Sequence, residues 1–104
     1  MKKFVMVYYG GGKPDNMTME EVMADWGKWY EELGSAIVDG GNPFDDGAQA
    51  VSNKGVEAAE NPAGGYTIVN AEDMNAAVEM AKGNPMHTHN PDTAVVHVYE
   101  AMPM

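Results

Sequence analysis

Apolar residues in this chain change period several times, and each change marks an element. Lys3 to Tyr9 is dense in β-branched and aromatic residues and stops at Gly10-Gly11-Gly12 and Lys13-Pro14-Asp15-Asn16, which predicts a strand ending in a loop. From Thr18 the period lengthens. Val22, Met23, Trp26, Trp29, Tyr30 and Leu33 recur at spacings of three and four, with Glu20, Asp25, Lys28 and Glu31 turned away. Thr18 and Glu21 have the spacing of a capping box, and Gly34 supplies a left-handed stop. Ala36 to Asp39 reads as a short second strand, closed by Gly40-Gly41-Asn42-Pro43.

Residues 44 to 63 carry turn signals at Asp45-Asp46-Gly47, Asn53-Lys54-Gly55 and Asn61-Pro62. Two readings stay open there: Ala48 to Ser52 and Val56 to Ala59 as hairpin strands, or Val56 to Glu60 as a helical turn. Tyr66 to Val69 is a strand. Asn70 is the expected N-cap of a second helix whose buried stripe is Met74, Ala77, Val78 and Ala81, and Lys82-Gly83-Asn84-Pro85 supplies a cation, a left-handed residue and a stop. Thr93 to Ala101 alternates, with Ala94, Val96 and Val98 on one face and Val95, His97 and Tyr99 on the other.

Two strand–helix–strand halves predict one α+β domain over residues 1 to 104. The expected fold is the ferredoxin-like split βαβ arrangement, a four-stranded antiparallel sheet with both helices on one face. The other face then holds Val95, His97 and Tyr99 with side chains from the first strand such as Tyr8. A bare apolar face of that size predicts a homodimer joined sheet to sheet.

Composition narrows the function. The chain has 6 Lys+Arg against 16 Asp+Glu, a formal charge of -10, which disfavours nucleic acid and anionic membranes as partners. With no cysteine there is no disulfide framework, thiolate nucleophile or Cys-based metal site. The apolar run at the N-terminus is too short for a signal peptide and no stretch is long enough to span a membrane, so a cytoplasmic protein is expected. The glycines at 10 to 12 lack the lysine, serine and following helix of a phosphate loop, and no cofactor is expected.

Four stretches carry a family likeness. They are Lys3 to Gly10; Tyr30-Glu31-Glu32-Leu33-Gly34 with Ile37-Val38-Asp39-Gly40-Gly41; Gly64 to Val69; and Ala76 to Ala81 through Asn84-Pro85 to Val96-His97-Val98-Tyr99. In this order they resemble the YCII-related family, which includes the DGPF-type proteins, among the dimeric α/β-barrel domains. The resemblance implies a homodimeric barrel of ferredoxin-like units. The Asp-Gly-Pro-Phe run is absent, the corresponding region reading Glu60-Asn61-Pro62-Ala63-Gly64-Gly65. YCII-type members carry a His and Asp pair. Asp39 matches the aspartate position, whereas the first helix here has no histidine.

Three groups of residues are candidates for chemistry. His97, an imidazole that titrates near neutrality, is a candidate acid or base with Asp39, whose other reading is a turn aspartate. Tyr8, Trp26, Tyr30 and Tyr99 are candidates to line a small-molecule site, although aromatics at helical spacing also build cores. His87 and His89, followed by Asn90-Pro91-Asp92, could converge on a metal ion in extended chain or be a polar loop. Whether the protein is an enzyme stays open on these residues. Binding of a small metabolite between sheet and helices ranks ahead of catalysis, and metal binding comes third.

Overall fold

A computed structural model describes all 104 residues. Strand β1 spans Lys2–Tyr9, helix α1 Met19–Leu33, a 3-10 turn Gly34–Ala36 and strand β2 Ile37–Asp39. Strands β3 (Gln49–Ser52) and β4 (Gly55–Ala58) form a separate hairpin. Strand β5 (Gly65–Ala71), helix α2 (Met74–Lys82), the short helix α3 (Met86–His89) and strand β6 (Val95–Ala101) complete the chain. The main sheet has the order β2-β5-β1-β6 and is antiparallel throughout. With the hairpin set aside, this is the ferredoxin-like order, and the helices lie on one side.

Alternation along the two long central strands assigns the faces. Phe4, Met6 and Tyr8 of β1 and Thr67, Val69 and Ala71 of β5 are buried under the helices. Val5, Val7 and Tyr9 point to the open face. Phe4 and Met6 are fully buried, each worth about 1.5–3 kcal/mol of transfer free energy. Helix α2 meets the sheet through the small residues Ala77 and Ala81, whereas α1 presents Trp26, Trp29 and Tyr30. Trp29 joins the two helices, its indole N–H donating to the Met80 carbonyl at 3.1 Å.

The capping box forms as expected: the Glu21 amide donates to the Thr18 hydroxyl at 3.2 Å and the Thr18 amide to the Glu21 carboxylate at 2.9 Å. Other expectations are corrected. Strand β5 continues through Asn70 because Lys2 and Lys3 of β1 pair with Ala71 and Asn70, so Asp73 caps α2 instead, its carboxylate accepting from the Ala76 amide. Gly83 is right-handed, since the chain turns directly into α3. Met23 and Met74, expected on buried stripes, are exposed. Of the two readings for residues 44 to 63, the hairpin is the one observed.

Two glycines fix close approaches. Gly10 and Gly41 both have positive φ, and a Cβ there would overlap the carbonyls of Thr93 and Tyr66, respectively. No helix is long and apolar enough to cross a membrane.

Candidate functional site

The helix-covered face of the sheet holds a polar chain inside an aromatic enclosure. Tyr8 on β1 donates its hydroxyl to Thr67 Oγ1 on β5. Thr67 in turn donates to the Gly40 carbonyl at 3.0 Å, and the Tyr30 hydroxyl on α1 donates to the same carbonyl at 3.1 Å. Burial raises the Tyr8 pKa far above its ordinary value of 10.0; the Thr67 bond opposes this, Tyr30 adds to it and the adjoining Asn84 side chain also opposes it. Tyr30 is raised in the same way, by burial against the Thr67 bond. Both phenols are therefore neutral donors at physiological pH.

Asn84 is the unusual member. Only 1 % of its surface is exposed, and its Oδ1 accepts from the Met86 amide at 2.9 Å. Its side chain lies close enough to the Tyr8 hydroxyl to oppose that group's pKa rise, yet Nδ2 makes no hydrogen bond of good geometry. Trp26 closes the enclosure, with its ring edge-on to Tyr8 at 5.3 Å between centroids and 6.0 Å from Tyr30. Above the carboxyl end of β1, Asn90 donates its amide to the Gly12 carbonyl at 2.9 Å and Thr93 donates to the Gly10 carbonyl at 2.7 Å, fastening the glycine loop to the segment after α3.

An imidazole and a carboxylate meet between α3 and α1. His89 Nε2 on α3 lies 2.7 Å from Asp25 Oδ2 on α1, one residue before Trp26. The His89 side chain is 3 % exposed and that of Asp25 50 % exposed. In the neutral ring, donation from Nε2 to the carboxylate leaves Nδ1 as the acceptor.

The structure thus gathers Tyr8, Trp26 and Tyr30 and separates the other candidates. Tyr8 belongs to the covered face, not to the open face with His97 as the sequence suggested; its neighbour Tyr9 takes that place, 4.7 Å from the His97 ring. Tyr99 is also on the open face, its hydroxyl 3.3 Å from His97 Nδ1. Asp39 lies on β2 and His97 on β6, the two opposite edges of the sheet, roughly 14 Å apart by strand spacing, so within one chain they do not share a proton. Asp39 holds its own turn, accepting from the Gly41 amide at 2.8 Å and the Tyr66 hydroxyl at 3.2 Å.

His87 and His89 lie on a helix and not in extended chain. Two residues apart there they face different ways, His87 toward the Ala81 carbonyl at 3.1 Å and His89 toward Asp25. No three His, Asp or Glu side chains gather at a point that would hold a metal ion.

Thr67, Asn84 and Asp25 escape sequence reasoning. Thr67 alone leaves a trace, as the polar residue sharing parity with Val69 and Ala71 on a buried face.

No family model matches this sequence, and no curated protein matches it. Among solved structures, the chain is similar to 5-chloro-2-hydroxyhydroquinone dehydrochlorinase (TftG) from Burkholderia phenoliruptrix in complex with 2,5-dihydroxybenzoquinone. The two share 16 % identity and a TM-score of 0.59 over 97 % of this chain and 95 % of that one. That likeness is one of fold: a ferredoxin-like α+β domain whose architecture also serves an enzyme.

Proposed function

We propose that this protein binds a small planar molecule bearing hydroxyl or carbonyl groups between α1 and the sheet, and that it does so as a pair of chains joined through their open sheet faces. The unpaired Nδ2 group of Asn84 carries the reading. A buried amide without an acceptor costs about 1–3 kcal/mol, and a ligand oxygen beside Tyr8 would recover that cost. Trp26 and Tyr30 offer flat apolar walls, and neutral Tyr8 and Tyr30 favour an oxygen-bearing ring over a cation. The ring compound bound by the dehydrochlorinase belongs to this chemical class.

A second reading makes the same site catalytic, and the pairing of His89 with Asp25 favours it. His89 Nδ1 would take a proton from a ring hydroxyl and return it to another atom of the ligand, with Asp25 steadying the imidazolium formed in between.

Titration with hydroxyquinones and substituted phenols, followed by tryptophan fluorescence, tests the binding. Quenching with an affinity at least tenfold weaker in Asn84→Leu is expected, and absence of any response across the panel would overturn it. The catalytic reading expects Asp25→Asn to slow turnover while leaving the affinity intact. For the pairing of chains, light scattering should report about twice 11.2 kDa; a monomer at micromolar concentration removes that part.

A further inference from the structure

Strands β3 and β4 form an arm separate from the main sheet. All eight of their residues are exposed, and they pair only with each other. A lone two-stranded hairpin is marginal in water. This one is also two-faced: Val51 lies directly opposite Val56, with Gln49 and Ala58 on the same side, whereas Ser52 and Glu57 lie on the other. Val51 is 77 % and Val56 61 % exposed, so an apolar cross-strand pair faces solvent.

The surface area of the whole chain points the same way. It exposes 7226 Å2, whereas a compact monomer of 11.2 kDa exposes roughly 5,700 Å2. The radius of gyration is 14.7 Å, against about 13 Å for a compact domain of this length. The surplus of roughly 1,500 Å2 on one chain is more than the roughly 800 Å2 that each partner contributes to a standard specific interface. It coincides with two unpartnered features of one chain, the arm and the open sheet face bearing Val95 and Tyr99.

We infer that the hairpin is an exchange arm that grips a second copy of this chain, each arm laying its Val51–Val56 face on the other subunit. The inference rests on the self-association proposed above and adds the contact that would stabilise it. A two-fold pair covers both arms and both open faces in one symmetric contact. Each chain carries a charge of -10, so the contact works against mutual repulsion and tightens as salt is added.

The test compares the wild type with the Val51→Lys/Val56→Lys variant by sedimentation equilibrium at low and moderate salt. Because every residue changed is exposed, the fold should survive, checked by an unaltered circular dichroism spectrum. A dimer constant weakened at least tenfold in the variant is expected. A second readout uses the absence of native cysteine: Val51→Cys carrying a benzophenone, with 15N-labelled and unlabelled chains mixed, should give crosslinks between isotopically different chains. A wild-type dimer whose constant is unchanged in the variant, or whose crosslinks all fall within one chain, overturns the arm and leaves the sheet-face pairing standing. A wild-type monomer overturns both.

Discussion

Replacing Thr67 with valine tests whether the buried polar chain is a working part of the native structure. Valine matches threonine in shape, so the packing around Phe4, Val69 and Ala71 is kept. What changes is hydrogen bonding. The Tyr8 hydroxyl loses its acceptor within the helix–sheet layer, while the Gly40 carbonyl keeps the donation from Tyr30. A buried donor left unmatched costs about 1–3 kcal/mol, whereas Tyr8→Phe removes the donor itself and costs about 0.5–1.5 kcal/mol, because Thr67 can still donate to Gly40. Thr67→Val should therefore be the more damaging change, since it removes both bonds of Thr67 and strands a buried donor. In the double variant, phenylalanine removes the stranded hydroxyl, so the losses should fall short of additive by about 1 kcal/mol. Urea unfolding of the four proteins measures this, with slopes expected to agree and midpoints to differ. Losses that simply add, or a Thr67→Val protein as stable as Tyr8→Phe, would refute the polar-chain account.

Alkaline pH offers a second test. Tyr8 binds its proton more tightly folded than unfolded, so its contribution is fully present below pH 10 and is lost as pH rises above that value toward the folded pKa, by about 1.4 kcal/mol per pH unit. Tyr8→Phe should flatten the decline seen in denaturation between pH 9 and 11. Gly41→Ala should be severe, lowering the thermal midpoint by more than 10 °C or preventing folding, since its Cβ would overlap the Tyr66 carbonyl and push β2 away from β5; a scanning calorimetry trace like the wild type's would contradict this. Asp73→Ala should cost about 1 kcal/mol in a chemical denaturation curve, whereas Asn70→Ala should have no capping effect.

These residues also show how far the sequence could be read. The start of α1 is legible because a capping box is local, its two bonds spanning three residues. The faces of β6 are legible because apolar and polar residues alternate there. Strand β1 gives no such cue, being apolar or aromatic at successive positions, and this is why Tyr8 and Tyr9 are readily exchanged between faces. The start of α2 is not legible, because pairing with β1 extends β5 past Asn70, a long-range interaction overriding a local preference. The proposed site is legible only in its aromatic part. Asn84 has the letters of a turn, and the contact of His89 with Asp25 joins residues far apart in sequence.

Strand β1 is central in the sheet, yet both its neighbours come from the other half of the chain: Lys3 pairs with Asn70 on one side and with Ala101 on the other. During synthesis this strand thus leaves the ribosome before either neighbouring strand, and its backbone pairing waits for β5 and β6. Such non-local pairing makes for slow closure of the sheet and lengthens the interval in which Phe4 and Met6, fully buried in the folded chain, are open to aggregation.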